Sequence, residues 1–173
     1  KLQIVTKGNT IPLTPEEKKE ALTRAMNNWI EGMMKATGGY VTTWDVVNEA
    51  ISGGGNDGEG FYVLQSASNA GADAANNFYW QDYLGSEDYV RIVVAAARKY
   101  YAENGGVKPL KLFINDYNLE STWDNNQKAK SLVHWIEKWE SDGVTKIDGI
   151  GTQMHVAYRA NAADQQKQTR ESI

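Results

Sequence analysis

Polar side chains able to do acid–base chemistry occur in three short clusters of this sequence. Asn48 and Glu49 form the first cluster, residues 115–118 form the second, and Gln153 with His155 form the third. Carboxylate, amide and imidazole groups held together can bind a hydroxyl-rich ligand and move protons to and from it. A carboxyl group among apolar and aromatic neighbours can stay protonated near neutral pH, so Glu49 is the candidate proton donor.

Each of the three clusters follows or ends a segment predicted to be a β-strand. β-Branched and aromatic residues dominate these segments, which cover residues 40–49, 110–115 and 147–153. Apolar residues at helical spacing, with capping and glycine signals, predict helices over residues 14–37, 86–104, 124–140 and 165–173. Strands and helices therefore alternate along the chain.

Two of these helices carry the clearest signals. Thr14 and Glu17 have the spacing of a capping box, with Pro15 at the first helical position. The apolar residues that recur at helical spacing in the first helix are Leu22, Met26, Trp29, Ile30 and Met33. The residues predicted to face inward from the helix over 124–140 are Leu132, Val133, Trp135, Ile136 and Trp139. His134 is predicted to be a surface or packing residue.

Alternating strands and helices predict an α/β fold with a parallel sheet joined by right-handed crossovers. The doubly wound open sheet and the (β/α)8 barrel are the two architectures that compete. No glycine-rich phosphate fingerprint lies directly between a strand and a helix, which disfavours a nucleotide-binding open sheet. Polar residues at the carboxyl end of every predicted strand favour the barrel, where they meet on one rim. The connection over residues 51–85 is long enough to carry function or to be mobile.

Composition excludes several classes of protein. The 173 residues carry 18 Lys and Arg against 22 Asp and Glu, and the net charge of −4 disfavours nucleic-acid binding. The sequence has no cysteine, which excludes disulfides, a cysteine nucleophile and a thiolate metal site. No apolar run approaches the roughly 18 residues of a membrane-spanning helix. Six Trp and nine Tyr against three Phe suit a sugar- or peptide-binding surface as well as a core.

A resemblance to a known family sharpens this interpretation. Residues 44–50, Trp-Asp-Val-Val-Asn-Glu-Ala, resemble the acid/base signature of glycoside hydrolase family 10, the endo-β-1,4-xylanases. Residues 113–118, Phe-Ile-Asn-Asp-Tyr-Asn, and residues 149–155, Gly-Ile-Gly-Thr-Gln-Met-His, resemble the next two strands of that family. Three such motifs in order are a specific signal, and the resemblance runs from Thr14 to the last residue.

The resemblance implies a (β/α)8 barrel and retaining hydrolysis of internal xylan linkages. Glu49 would be the general acid/base, and Asn48 would hydrogen-bond the 2-hydroxyl of the sugar being cleaved. Gln153 and His155 would line the subsite of that sugar, with His155 orienting the nucleophilic carboxylate. The resemblance implies no metal and no cofactor.

Other positions take further roles under the same resemblance. Tyr117 and Asn118 would face the aglycone side of the substrate. Asp45, Asn115 and Asp116 would support the groups that touch the sugar. All of these residues lie in or directly after the predicted strands.

The second carboxylate of the retaining pair is expected to be missing from this chain. It should lie about 5 Å from the acid/base, and the resemblance places it at the end of the strand after residues 149–155, which the sequence does not reach. Glu120 and Asp116 lie near the same rim, but neither occupies that strand. We therefore expect residues 1–173 to be a partial catalytic domain, three to four βα units from the middle of the barrel, and inactive in isolation.

Two other functions stay open at this point. One is a non-catalytic carbohydrate-binding or structural fragment of a xylan-degrading protein. The other is a different barrel glycosidase, such as a cellulase-like enzyme, which the motif at 149–155 disfavours. Trp123 and residues 78–80 are expected either to stack on sugar rings or to pin down the long connection.

The implied partners follow from the implied reaction. They are xylan, xylo-oligosaccharides and the remaining segments of the same barrel, and the resemblance allows an inserted carbohydrate-binding module. A polymeric substrate also predicts a secreted, periplasmic or cell-surface protein.

Overall fold

The structure, a computed structural model, describes residues 3–6, 8–155 and 160–171. The described strands are β1 (Gln3–Thr6), β2 (Asn9–Pro12), β3 (Thr43–Asn48), β4 (Lys111–Asp116) and β5 (Gly149–Thr152). The described α-helices are α1 (Pro15–Thr37), α2 (Gln81–Leu84), α3 (Asp88–Glu103), α4 (Gln127–Glu140) and α5 (Ala162–Glu171), with a 3-10 turn at Gly71–Ala75. The predicted alternation of helix and strand is confirmed to within a few residues at each end, except that the last two residues of the helix predicted over 165–173 lie outside the described residues. Among the described residues, no helix has the length and apolar character needed to span a membrane.

β3, β4 and β5 form a parallel sheet with β4 in the middle, and α3 and α4 lie in the two crossovers. The register sets Asn48 opposite Asn115 and Asp116 opposite Thr152, so the carboxyl ends of the three strands lie side by side. A register shift just before Val47 marks a β-bulge in β3. β1 and β2 form a separate antiparallel hairpin, of which the sequence pattern predicts only a strand-like stretch at residues 1–5 and not the second strand. The parallel α/β architecture is the one predicted, and three strands of this kind fit part of a (β/α)8 barrel as well as part of an open sheet.

The two faces of the parallel sheet differ in burial. Along β4 the residues alternate between buried and less buried positions. Leu112 and Ile114 have no exposed surface and belong to the core, to which α1, α3 and α4 also contribute. Phe113 and Asn115 lie on the other face, which corresponds to the interior of a closed barrel.

Helix α1 begins with the predicted capping box. Thr14 Oγ1 accepts a hydrogen bond from Glu17 N at 3.2 Å, and Glu17 Oε2 accepts one from Thr14 N at 2.8 Å. The apolar stripe of the helix is only partly covered, because Met26 is buried whereas Trp29 is 72% exposed and Met33 is also exposed. The covered part packs on α3, and the exposed part lies beside β3, one of the two outer strands of the described sheet.

Helix α4 begins at Gln127 rather than at residue 124, since Asn126 before it has a left-handed backbone conformation, φ 58°. Trp135 and Trp139 are buried, as predicted. The predicted inward position of Val133 is wrong, because this side chain is 46% exposed on the helix face turned away from the core.

The first part of the long connection, residues 51–64, folds back along α4. The Trp135 indole donates a hydrogen bond to Tyr62 O at 2.9 Å. His134 stacks on Phe61 with ring centroids 4.0 Å apart, so its predicted packing role is confirmed. The segment 51–64 is thereby anchored on the helix.

Candidate active site

The three predicted polar clusters meet at the carboxyl ends of β3, β4 and β5. The Asn115 amide donates a hydrogen bond to Asn48 Oδ1 at 2.8 Å. The Gln153 amide donates to the same oxygen at 3.1 Å and to Glu49 Oε1 at 2.7 Å. The structure thus brings together side chains from all three clusters on one rim, as the sequence predicted.

Glu49 lies in a turn that departs from the strand. Its backbone has a left-handed conformation, φ 57°, which costs a non-glycine residue on the order of 1 kcal/mol. Two hydrogen bonds hold this turn: Glu49 N donates to Asn115 O at 2.8 Å, and Gln65 Nε2 donates to Glu49 O at 2.7 Å. With the turn fixed in this way, the Glu49 carboxylate meets the Gln153 amide.

His155 contacts Gln153 rather than Glu49. Its Nε2 is 2.8 Å from Gln153 Oε1, so the carboxamide of Gln153 is held at both its oxygen and its nitrogen. Met154, which separates the two residues, has a left-handed backbone conformation, φ 47°. His155, Gln153 and Glu49 thus form a hydrogen-bonded row along the rim.

Asp116 is a buried residue that holds the loops around the site. It has no exposed surface, and its Oδ1 accepts hydrogen bonds from Lys128 Nζ at 2.7 Å and from Tyr117 N at 2.8 Å. Its Oδ2 accepts one from Ile51 N at 3.1 Å. Asn118 continues the loop after β4 in a left-handed conformation, φ 58°. Asp116 therefore contacts the loops that carry the site rather than the rim side chains themselves.

Asp45 lies apart from these contacts. It is exposed on the outer strand, opposite Phe113. Within the described residues, no hydrogen bond or ion pair involves its carboxylate. Its support of the sugar-contacting groups stays a prediction.

Sequence reasoning missed two residues of this site, Gln65 and Lys128. Gln65 reaches the rim because the isolated β-bridge between Ile51 and Leu64 folds the chain back, and local sequence patterns do not encode such a pairing. Lys128 does carry a readable signal, since it lies four positions before the buried Leu132 on the apolar stripe of α4. A lysine on such a stripe indicates a buried charge with a partner.

A cavity of about 460 Å³ opens beside Glu49. Asn48, Gln65, Tyr89 and residues 77–81 contribute to its lining. Burial, together with the negative charge of Asp116, raises the pKa of Tyr89, so its hydroxyl stays protonated at neutral pH.

The aromatic residues 78–80 pack on one another and on α2. Phe78 stacks on Tyr83 with centroids 5.2 Å apart and meets Trp80 edge-on at 4.9 Å, while Tyr79 is buried. These contacts pin down the end of the long connection, and the same residues form one wall of the cavity. Trp123, in the loop after β4, is 76% exposed.

The two acids considered as replacements for a second catalytic carboxylate are engaged in other contacts. Glu120 is buried, and its Oε2 accepts a hydrogen bond from Thr152 Oγ1 at 3.1 Å. Asp116 is held in its ion pair with Lys128. These contacts agree with the prediction that neither acid takes the place of the nucleophile.

A separate cluster of titratable groups lies where residues 51–64 meet α4. Lys138 Nζ lies 3.3 Å from Asp57 Oδ2 and 2.7 Å from Glu59 Oε1, and His134 Nε2 is 2.8 Å from Asp57 Oδ2. Burial alone would raise the pKa of Asp57, but hydrogen bonds from backbone amides, Lys138 and His134 lower it well below its usual range. The ammonium group of Lys138 pairs with both acids, so this cluster fastens the segment to the helix.

The polar groups lie where (β/α)8 barrel enzymes carry their catalytic residues, at the carboxyl ends of parallel strands. A carboxylate held by the Gln153 carboxamide on such a rim fits the class of barrel glycoside hydrolases, which use carboxyl groups to cleave glycosidic bonds. The chain belongs to glycosyl hydrolase family 10, whose sequence model matches residues 8–173. The resemblance on which the sequence prediction depends, and the barrel fold that it implied, are thereby confirmed.

Known relatives of this chain are much longer than the chain itself. It is 32% identical over 147 residues to endo-1,4-beta-xylanase A of Halalkalibacterium halodurans, which covers 85% of this chain and 30% of that protein. A family 10 structure from Paenibacillus barcinonensis is 28% identical, with a TM-score of 0.60, covering 94% of this chain and 40% of that one. The structure of a mutant protein in complex with xylotriose is 26% identical, with a TM-score of 0.59, covering 89% of this chain and 39% of that one. The chain therefore spans about 30–40% of the length of these relatives and forms part of the barrel.

Proposed function

We propose that this chain carries the acid/base half of the active site of a retaining endo-β-1,4-xylanase. The observation that carries the proposal is the hydrogen-bonded group at the strand ends, in which Gln153 Nε2 joins Glu49 Oε1 at 2.7 Å to Asn48 Oδ1 at 3.1 Å. Glu49 protonates the leaving glycosidic oxygen and later takes a proton from the attacking water. Family membership and xylanases among the relatives support xylan as the substrate.

Asn48 has a defined role in this proposal because its oxygen is already occupied. Asn48 Oδ1 accepts hydrogen bonds from both Asn115 and Gln153, which leaves its Nδ2 group to donate to the substrate. The acceptor is the 2-hydroxyl of the sugar being cleaved, a contact that strengthens in the transition state. His155 donates from Nε2 to Gln153 Oε1, and in this proposal it also orients the nucleophile. Tyr117 and Asn118 bind the aglycone side.

We propose that adjoining segments of the same barrel supply the nucleophile and cover the outer strand. A groove of about 370 Å³ next to β3 is lined by the apolar side chains of Trp29, Met33 and Trp44, with Asp45 at its edge. An exposed apolar groove beside an unpaired strand suits another βα unit, which would pair with the strand and bury the groove. A complete enzyme of this kind acts on a polymer, so we also propose that it is secreted, periplasmic or on the cell surface.

The substitution Glu49→Ala in the complete enzyme tests the acid/base assignment. Hydrolysis of xylan should fall by about 10²–10⁴-fold, because protonation of the leaving group is lost. Hydrolysis of an aryl xylobioside with a good leaving group should keep much of its glycosylation rate, because that group needs no proton. Glu103→Ala, at the exposed end of α3, is the matched control and should leave both rates unchanged. Normal xylan hydrolysis by Glu49→Ala would show that the assignment is wrong.

A further inference from the structure

Lys128 is a buried cation at the carboxyl ends of the sheet. Its side chain is 5% exposed, its Nζ lies 2.7 Å from Asp116 Oδ1, and the same ammonium group lies 3.4 Å from the centroid of the Tyr117 ring. A buried charge is costly unless its surroundings compensate it, and here one carboxylate and one aromatic face do so.

The position of Lys128 is unfavourable for the helix that carries it. It is the second residue of α4, where the partial positive charge of the helix N-terminus repels a cation. An uncharged residue here, together with an uncharged residue in place of Asp116, would suit both the helix and the core better. The presence of a lysine at position 128 is therefore better explained by the groups that its ammonium group contacts.

Through Asp116, the ammonium group reaches the loops that carry the site. Asp116 Oδ1 accepts a hydrogen bond from Tyr117 N, and Asp116 Oδ2 accepts one from Ile51 N, two residues after Glu49. The backbone oxygen of Asp116 accepts one from Gln153 N at 3.0 Å. All three loops of the rim therefore meet at this one residue.

We propose that Lys128 is a positioning residue for the reaction: it holds the Tyr117 ring as a sugar-binding surface and, through Asp116, fixes the turn that aims Glu49. This inference rests on the proposed function, because it assumes that Tyr117 and Glu49 face the substrate. A cation over the ring also fixes which face of Tyr117 is covered and which is left for a sugar.

The test compares Lys128→Met with the double variant Asp116→Asn/Lys128→Met in the complete enzyme. The single variant leaves the Asp116 carboxylate buried without its ion-pair partner, whereas the double variant removes both charges. The double variant therefore provides the test if the single variant does not fold. Lys130→Met, two residues further along α4 and exposed, is the matched control. Thermal unfolding and circular dichroism select the folded variants for kinetics.

A positioning role predicts a split between kinetic constants in the folded variant. KM for xylan should rise roughly three- to thirtyfold, the range expected for the loss of a buried cation–π contact. KM for an aryl xylobioside, which has no sugar on the aglycone side, should rise less, while kcat should fall for both substrates. A folded double variant with wild-type KM and kcat on xylan would overturn the proposal.

Nuclear magnetic resonance separates failure of this inference from failure of the proposed function. In the folded variant, the ring-proton shifts of Tyr117 should change and the Ile51 amide should exchange faster than in Lys130→Met. Unchanged shifts and exchange would overturn the positioning role whatever the enzyme's activity. If these changes occur but Glu49→Ala hydrolyses xylan normally, the proposed function fails while the structural link stands.

Discussion

The substitution Gly151→Ala should damage the site through one added methyl group. A Cβ at Gly151 would lie 2.7 Å from Asn115 Oδ1 and 3.3 Å from Asn115 Cβ, because the Asn115 side chain leans across β5. Ordinary contacts of a Cβ begin at 3.4 Å, so the Asn115 carboxamide must withdraw by about 0.7 Å. If that movement is away from Asn48, the 2.8 Å bond between Asn115 Nδ2 and Asn48 Oδ1 lengthens to about 3.5 Å and is lost.

The magnitude follows from these two effects. Loss of one hydrogen bond costs about 0.5–1.5 kcal/mol, and crowding a packed position costs about 1–3 kcal/mol, so the free energy of unfolding should fall by about 3 kcal/mol. Asn48 would also lose one of the two hydrogen bonds that fix its amide. We expect kcat/KM for xylan to fall about tenfold, equivalent to about 1.4 kcal/mol of transition-state stabilisation.

Denaturant unfolding and xylan kinetics on the complete enzyme measure the two effects separately. Gly32→Ala is the control, since nothing lies within 4 Å of a Cβ at this position on α1 and its backbone is not left-handed. It should be neutral or should stabilise the helix by roughly 0.5–1 kcal/mol. If Gly151→Ala matched Gly32→Ala in both stability and kcat/KM, the reasoning from the Asn115 contact would be refuted.

Two further predictions concern the chain alone and the start of β5. The 173-residue chain without adjoining segments should show no measurable xylanase activity, and robust turnover of xylo-oligosaccharides by the purified chain would contradict the proposed division of the site. Burial alone would raise the pKa of Asp148. Asp148 also accepts hydrogen bonds from Leu112 N at 3.0 Å and from Arg98 at 2.9 Å, and these contacts lower its pKa below the usual value. A lowered pKa in the folded state gives stabilisation that is present above the unfolded value near 4 and is lost as the pH falls below it. Asp148→Asn should therefore reduce the free energy of unfolding by on the order of 1 kcal/mol at pH 7 and by less at pH 3, and an equal loss at both values in urea titrations would contradict this cause.

The sequence was a good guide to the parallel sheet and to the rim. Alternation of strand and helix patterns places polar residues at strand ends, and parallel strands bring such ends together. Asn48, Glu49 and Gln153 could be predicted to meet for this reason. The hydrogen bonds among them depend on the register between strands, which the patterns do not give.

Contacts made across long sequence separations could not be predicted in this way. Gln65 holds the turn at Glu49 only because residues 51–64 fold back on α4, and no local pattern encodes that return. The motif 149–155 identifies Gly151 only as part of a family signature. The structure shows why a glycine is needed there, because a side chain at this position would collide with that of Asn115. Helical spacing likewise indicates an apolar side and not how much of it is covered, which is why Val133 was misplaced.

The proposed division of the site between segments agrees with which residues form hydrogen bonds to Glu49. Within the described residues, Asn115, Gln65 and Gln153 provide the hydrogen bonds that hold Glu49. The side of the rim that we propose for the acid/base is therefore held by contacts within this chain. In contrast, Trp29 is exposed in the groove beside β3. This groove would add to the stability of the fold only when another segment buries its apolar surface. In the proposed enzyme, the hydrophobic effect at that groove would drive assembly of the barrel, and the contacts around Glu49 would not have to change when the proposed second carboxylate comes into place.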